Sequence, residues 1–247
     1  MKRLLIRADD LGFSEAVNYG IEKSVKQGII KSVGVMVNMD ATLHGLRLLS
    51  GCDVCLGLHT NICAGRPLTA PNKISSLIGE SGEFKASREY RTAKEDFVDL
   101  EEVVIEIEAQ YEKFKELTGQ EPHYFEGHAV ASVNFFKGLE TVADRHNLPL
   151  LKFSFDGNPI DFRGTKLHMH MDSMKPDYDP MRSLMNIDFH VDDVEMFICH
   201  PGYLDDYILT HSSLTIPRTK EVEMVCSKQV KNWISENNIQ LVTYDDL

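Results

Sequence analysis

The chain has 247 residues, 43% hydrophobic and 26% charged, a composition typical of a folded globular protein rather than a disordered one. Its formal net charge of −12 argues against a general nucleic-acid-binding protein, because binding to phosphates requires clustered Lys and Arg. No apolar run approaches the roughly 18 residues needed to cross a membrane. The five scattered cysteines do not resemble a disulfide framework. We therefore expect a cytoplasmic protein with reduced thiols that binds neither nucleic acid nor membrane.

Short apolar runs alternate with segments of helical periodicity in the first half of the chain. Strands are predicted at residues 4–8, 33–37 and 54–58. Of the helices between them, Ser14 caps the first, which ends at Gly28, and Asp40 caps the second. Residues 62–84 are rich in Gly, Pro, Ser and Asn and predict a functional loop. One long helix over residues 87–117 is then expected, ending at Gly119.

The second half of the chain continues the alternation less regularly. Strands are predicted at residues 123–125, 150–153, 195–199 and 239–244, with helices at 135–146 and 217–237. Residues 154–193 are expected to be irregular, with one short helix. Because strands alternate with helices, the sheet is expected to be parallel with helical crossovers. The predicted fold is a single α/β domain over residues 1–247, a distorted seven-stranded (β/α) TIM-like barrel.

Polar side chains follow five of the predicted strands directly. They are Asp9 and Asp10, then Asn38, then His59 and Asn61, then Glu126 and His128, and finally His200. The C-terminal ends of parallel strands meet at one mouth, so these side chains should converge. One Asp with two His is a common ligand set for a divalent ion with open positions, and a second Asp can act as base. The residues alone therefore favour a metal-assisted hydrolase.

Ordered motifs along nearly the whole chain resemble the YdjC-like carbohydrate deacetylase family. They are Arg7–Ser14 with Asn18 and Ile21, Val35–Asn38, Gly57–His59, Gly65–Pro67, Gly127–His128, Cys199–Gly202, and Arg218-x-x-Glu221 followed by Ser227. The resemblance implies a distorted barrel and a divalent ion, with Mg²⁺ favoured and Zn²⁺, Mn²⁺ or Co²⁺ as alternatives. It also implies removal of an acetyl group from a small carbohydrate, such as a chitooligosaccharide or phosphorylated chitobiose. A homodimer is compatible with the family.

The resemblance also implies roles for individual residues. It makes Asp10, His59 and His128 the metal ligands, Asp9 the general base and His200 the general acid. Candidate substrate-binding residues are Asn38, Asn61, Arg66, Glu126 and Tyr203. The family usually has His-x-His at the fourth strand, where this chain has Val130, and Asp-Ser where it has Glu126-Gly127. The first departure is compatible with a narrower substrate range or weaker activity.

Several alternatives remain open on the residues alone. A glycosidase acting on a phosphorylated disaccharide would use Asp9 or Asp10 with Glu126, but it leaves the histidines without a role. A non-haem iron oxygenase shares the ligand set, although the strand–helix alternation argues against it. A non-catalytic sugar-binding relative is favoured by Val130. The spacing of His168 and His170 permits a second metal site or a sugar contact, but a surface loop is the favoured interpretation. Arg218 and Glu221 are expected to pair along one helix.

Overall fold

The computed structural model describes all 247 residues and contains one curled sheet of eight strands. The strands are β1 (Lys2–Leu11), β2 (Ser32–Val35), β3 (Cys55–Thr60), β4 (Phe125–Gly127), β5 (Ile160–Phe162), β6 (Thr165–His170), β7 (Val194–Cys199) and β8 (Ile239–Val242). Seven of them follow the order β4-β3-β2-β1-β7-β6-β5, and β8 pairs with β1 off this path. All pairs are parallel except the β5–β6 hairpin. This architecture confirms the predicted α/β class and the distorted TIM-like barrel.

The longest strand, β1, has neighbours along both of its edges. β7 pairs with residues 4–8 on one edge. The other edge is shared, because β8 pairs with residues 2–5 and β2 with residues 7–11. β1 therefore lies at the centre of the sheet, and its C-terminal end carries the two consecutive aspartates.

Nine α-helices flank the sheet. They are α1 (Glu15–Lys26), α2 (Thr42–Leu48), α3 (Ser87–Thr92), α4 (Leu100–Thr118), α5 (Val133–His146), α6 (Pro180–Met185), α7 (Asp206–His211), α8 (Ile216–Cys226) and α9 (Lys228–Glu236). As predicted, the Ser14 side chain caps α1 by accepting from the Val17 N–H. Gly119 ends α4 with a left-handed φ of 72°. Asp40 is not a cap, because α2 begins after Ala41. No helix combines the length and apolarity that crossing a bilayer requires.

Alternate residues of the strands pack on opposite sides of the sheet. Leu5 and Met196 belong to a core cluster inside the barrel, together with Tyr124 and Tyr244. Their neighbours Leu4 and Phe197 belong instead to the larger core between sheet and helices. Along β1, the inner row that contains Leu5 continues upward to Arg7 and then Asp9. The barrel is thus filled with aromatic and aliphatic side chains at the bottom and becomes charged toward its mouth.

The predicted strands are wrong between residues 150 and 170. Residues 150–153 contribute only one bridge, Leu150 with Phe125, and the segment expected to be irregular contains β5 and β6. Within β6, Leu167 and Met169 face the inner core while His168 and His170 alternate with them. The loop interpretation of these histidines is therefore wrong, and the sheet has eight strands rather than seven.

Two long predicted helices are each broken in two. The first is interrupted between α3 and α4, where Asp99 accepts from the N–H groups of Glu101 and Glu102 and starts a new helix. The last is interrupted at Ser227, whose hydroxyl accepts from the Val230 N–H and caps α9. In both cases a side-chain cap inside an apolar periodic stretch begins a second helix, and hydrophobic periodicity alone does not register it.

Candidate metal centre and active site

Three donor atoms meet at the mouth of the barrel. The Oδ1 atom of Asp10 lies 3.2 Å from His59 Nε2 and 3.2 Å from His128 Nδ1, and the two imidazole nitrogens are 2.8 Å apart. Neighbouring ligands of an octahedral ion at about 2.1 Å are about 3 Å apart. Asp10 Oδ1 is buried and makes no well-oriented hydrogen bond. The spacing, the unpaired oxygen and the donor types therefore fit a divalent cation.

The strand ends explain why these side chains converge. Asp10 lies near the end of β1, His59 near the end of β3, and His128 directly after β4. The register between β1 and β2 shifts between Ala8 and Leu11, and Asp10 has a left-handed φ of 77°. Such an irregularity re-aims a side chain. As a result Asp9 and Asp10, which would face opposite sides of a regular strand, both have carboxylate oxygens near His59.

Arg218 of α8 holds the second oxygen of Asp10. Its Nη2 donates to Asp10 Oδ2 at 2.7 Å, and both side chains are almost completely buried. Burial alone would raise the pKa of Asp10, but Arg218 and the imidazole of His128 outweigh it and keep that pKa well below its usual range. Asp10 is therefore ionised, with one oxygen fixed by Arg218 and the other directed at the imidazoles.

Glu126 fixes the orientation of His59. The two residues are register partners in β3 and β4, and the His59 Nδ1–H donates to Glu126 Oε1. In the neutral ring this bond places the lone pair of His59 on Nε2, the nitrogen that faces Asp10. The other Glu126 oxygen lies 3.5 Å from Arg7. Both oxygens are thus engaged inside the protein, and Glu126 supports a candidate ligand where a substrate contact was predicted.

Asp9 stands beside the three donors with one oxygen free. Its Oδ2 accepts from Arg7 Nη2 at 2.8 Å, whereas Oδ1 is buried without a hydrogen-bond partner. Arg7 is held in turn by Tyr244, whose hydroxyl it contacts at 3.2 Å, and by the face of Tyr124 at 5.5 Å. The Asp9 carboxylate is consequently oriented and able to accept one proton at Oδ1.

His200 directly follows β7, and its backbone contacts both Arg218 and Glu221 of α8. Its backbone N–H donates to Glu221 Oε2 at 2.6 Å, and its carbonyl accepts from Arg218 Nη1 at 3.3 Å. Its ring nitrogen Nδ1 is 3.4 Å from the hydroxyl of Ser173. Burial lowers the pKa of His200 to about 4, even though Asp10 and Asp9 act in the opposite direction. The imidazole is therefore neutral at neutral pH.

The site as a whole attracts positive charge. Burial would lower the pKa of both His59 and His128, but the neighbouring carboxylates raise it by more. Glu126 and Asp9 raise the pKa of His59 well above its usual range, and Asp10 raises the pKa of His128 to about 9. A cation bound to these nitrogens would take the place of protons.

Asn38 and Asn61 support a loop next to the mouth. The Asn38 Nδ2 group donates to the carbonyls of Ala64 and Arg66, both at 3.0 Å. Asn61 is completely buried, and its side chain bonds to Asn38 and to the Ala64 carbonyl and Cys63 N–H. Their amides are used within the protein, so neither presents a free group to a substrate in this arrangement.

Arg66 and Tyr203 do not join the three donors. The Arg66 side chain is 82% exposed and its nearest charged partner is Glu83, at 3.8 Å. Tyr203 lines an outer cleft between α6 and α8 that also contains Met181, Thr219 and Glu223. The two residues therefore stay predicted substrate contacts, and neither touches the three donor residues at the mouth of the barrel. Val130, at the position where the resemblance implies a second His, is buried in the main core.

Three supporting residues were missed or misassigned from the sequence. Arg218 and Glu221 do not pair with each other along α8; Arg218 reaches Asp10, and Glu221 receives the His200 N–H and the Tyr178 hydroxyl. Arg7 was taken as part of an apolar strand. A single charge within the run Leu4–Ala8 was the available signal, because a buried Arg requires a carboxylate partner.

Known proteins are similar to this chain along nearly its whole length. The family model described as YdjC-like protein matches residues 3–236. The chain is 32% identical over 256 residues to Carbohydrate deacetylase 2 of Listeria innocua serovar 6a, covering 99% of this chain and 98% of that protein. It is 27% identical over 266 residues to the Chitooligosaccharide deacetylase of Citrobacter koseri, with 100% of both covered.

One solved structure has the same fold over its full length. It is a protein of Enterococcus faecalis V583 whose name refers to cleavage of cellobiose phosphate. The two chains superpose with a TM-score of 0.82 at 22% identity, covering 99% of this chain and 98% of the other. At that identity the similarity establishes a shared fold.

Proposed function

The chain belongs to the YdjC-like protein family, and we propose that it is a metal-dependent carbohydrate N-deacetylase. In this proposal it hydrolyses the N-acetyl group of an N-acetylated oligosaccharide and releases acetate, with residues 1–247 acting as one deacetylase domain. The observation that carries the proposal is the convergence of Asp10, His59 and His128 beside the free oxygen of Asp9. The names of the deacetylase relatives support the substrate class.

The residues divide into holding and reacting groups. Asp10, His59 and His128 would hold the ion, while Glu126 and Arg218 orient two of those ligands. A bound divalent cation supplies Lewis acidity, which lowers the pKa of water from ~16 toward ~7 and stabilises a negative oxygen. Mg²⁺ prefers oxygen ligands, whereas imidazole suits Zn²⁺ and related ions. We therefore rank Zn²⁺ or Co²⁺ above the Mg²⁺ favoured from the resemblance.

Asp9 acts as the general base. Its Oδ1 removes a proton from the attacking water, and Arg7 prevents the carboxylate from turning away. Water then adds to the acetamide carbonyl, and breaking the C–N bond of the tetrahedral adduct gives acetate and an amine. The Asp9 carboxylate, buried and without another partner at Oδ1, is the group best placed for this transfer.

His200 carries the proton to the departing amine. Because its imidazole is neutral in the resting site, it must first receive the proton that Asp9 removes from water. It then delivers this proton to nitrogen as the C–N bond breaks, so that no net proton is consumed. The Ser173 hydroxyl lies 3.4 Å from Nδ1 and can orient the ring for this exchange.

The arrangement argues against the alternative glycosidase, because Glu126 is not available as its second carboxyl group. Glu126 would have to act across the sugar bond from Asp9 or Asp10, but its oxygens contact His59 and Arg7. A carboxylate bound on both oxygens is neither a free nucleophile nor a proton donor. The oxygenase and the non-catalytic sugar-binding protein likewise leave the free Asp9 oxygen without a role.

The test is an acetate-release assay on N,N′-diacetylchitobiose with and without a 6-phosphate. The metal-stripped protein is supplied separately with Zn²⁺, Co²⁺, Mn²⁺ or Mg²⁺. We expect acetate without monosaccharide, restored by at least one ion, and no restoration in Asp10→Asn. Release of monosaccharide would instead support the glycosidase. Equal turnover with and without metal would contradict the proposed dependence on a cation.

A further inference from the structure

A second cluster of titratable side chains lies outside the proposed active site. It comprises His168 and His170 of β6, Glu195 of β7, and His190 and Asp193 of the loop before β7. The inner core contains Leu167, Val194 and Met196, the chain neighbours of these residues. Since side chains alternate along a strand, His168 and Glu195 face away from the barrel interior.

Glu195 is the buried centre of this cluster. Its side chain is only 1% exposed, although it is charged and faces the outer side of the sheet. Oε1 lies 2.9 Å from His190 Nδ1 and accepts from the His190 backbone N–H at 3.0 Å. Oε2 lies 2.7 Å from His170 Nε2. A buried carboxylate next to several imidazoles is a set of donors that can bind a transition-metal ion. The ion would displace protons from these groups.

His168 completes the set from the neighbouring strand. Its ring stacks on His190 with centroids 3.7 Å apart and planes 5° from parallel. Its Nε2 lies 2.8 Å from Asp193 Oδ2, the outer carboxylate contact that commonly orients a ligating histidine. One donor atom from each of His168, His190 and Glu195 lies within 4.8 Å of the other two.

We propose that His168, His190 and Glu195 form a second cation site, suited to Zn²⁺ or another ion that imidazole binds. Binding replaces the proton that His190 Nδ1 shares with Glu195 Oε1. The stacked rings must separate for both to ligate one ion. His190, 54% exposed and on a loop, is the ring free to turn. His170 keeps its bond to Glu195 or supplies a fourth nitrogen.

The two sites are well separated along the sheet. Glu195 pairs with Leu4 of β1, whereas Asp9 and Asp10 lie five and six residues further along that strand. At about 3.3 Å per residue, this places the two aspartates roughly 17 to 20 Å from Glu195 along the strand direction. An ion at Glu195 would therefore connect the loop before β7 to β6 without entering the reaction.

The experiment counts bound metal in variants of the full chain. Chelator-stripped protein is titrated with ZnCl₂ alone, and bound equivalents are measured after desalting. The variants are His168→Ala/His190→Ala, Asp10→Asn/His128→Ala, and His211→Ala as a control for an exposed histidine outside both clusters. His168→Gln/His190→Gln repeats the first variant with smaller volume change, and circular dichroism verifies folding.

We expect two equivalents in the wild type and in His211→Ala, and one in each double variant. Zn²⁺ should raise the melting temperature of Asp10→Asn/His128→Ala, and this rise should vanish when His168 and His190 are also replaced. A wild type that binds one ion, retained in His168→Ala/His190→Ala, would overturn the second site. Two ions retained in that variant would also overturn it. A single ion lost with His168 and His190 would support it and count against the ion at Asp10.

Discussion

Arg218 and Asp10, 208 positions apart in the chain, form a buried ion pair with a distance of 2.7 Å between Nη2 and Oδ2. The pair divides the two oxygens of one carboxylate between different tasks. Oδ2 is neutralised by the guanidinium, and Oδ1 faces the imidazoles of His59 and His128. The same guanidinium also donates to the carbonyls of Leu214 and His200, so it links α8 to the end of β7.

Replacing Arg218 with Met should destabilise the fold strongly. Removing one member of a buried pair leaves an uncompensated charge, which typically costs about 3–5 kcal/mol. The matched control is Lys23→Met, which removes a surface pair with Glu223 and should cost only about 0–1 kcal/mol. Urea unfolding of both variants measures the difference. Equal midpoints would mean that Asp10 finds another partner.

Replacing Asp9 with Asn should separate metal binding from turnover. Asn keeps the shape of the side chain but cannot take a proton from water. We expect turnover to fall by ~10²–10⁴-fold. Zn²⁺ stoichiometry at Asp10 should stay at the wild-type value, because Asp9 is not among its three ligands. Wild-type turnover in this variant would remove Asp9 from the role of base.

Replacing Glu126 with Gln should weaken metal binding without abolishing the fold. Glu126 holds the His59 Nδ1–H, and loss of such an outer contact typically lowers metal affinity by about 10–100-fold. Competition with a chromophoric chelator measures the affinity at Asp10, with His168→Ala/His190→Ala as background so that only one site is read. An unchanged affinity would show that His59 does not depend on Glu126.

Proton release should accompany metal binding near neutral pH. In the metal-free protein the pKa of His128 is about 9 and that of His59 is also raised, so both rings hold protons that a cation must displace. The apparent affinity should therefore increase as the pH rises toward 9. Calorimetry in two non-coordinating buffers of different ionisation enthalpy gives the number of protons released. Identical heats in the two buffers would contradict this expectation.

The same shift gives the metal-free fold a pH dependence with a defined sign. His128 binds its proton more tightly in the folded chain than at the ordinary value of about 6.5. Its contribution to stability is complete below that value and is lost as the pH rises through about 9. In His128→Gln this component of the dependence should disappear when unfolding midpoints are compared between pH 6 and 9.

The convergence of the three proposed ligands could be predicted because each lies at a strand end, whereas their assignment as ligands came from the family resemblance and stays a prediction. Asp10, His59 and His128 come from separate apolar runs, and parallel topology alone brings those ends together. The contacts that orient these ligands could not be predicted in the same way. The bond between Glu126 and His59 follows from the register of β3 with β4, and no pattern within either strand contains that information.

The amides of Asn38 and Asn61 show a second limit. Residue type and position made them candidates for substrate binding, but the loop after β3 needs donors for its carbonyls and acceptors for its N–H groups. The two side chains supply them.

Strand β6 was not predicted because its period-two alternation lies in a segment rich in turn residues. Its neighbour β7, the partner that makes it a strand, comes more than twenty residues later.

The central position of β1 affects how the fold opens locally and where its sequence can change. With β7 on one edge and β2 and β8 on the other, its middle amides are expected to exchange with solvent only on global unfolding. Asp9 and Asp10 directly follow this slowest-opening part of the chain, while the other segments at the mouth are loops. Substitutions or insertions in those loops can reshape what enters the mouth while leaving both carboxylates where they are.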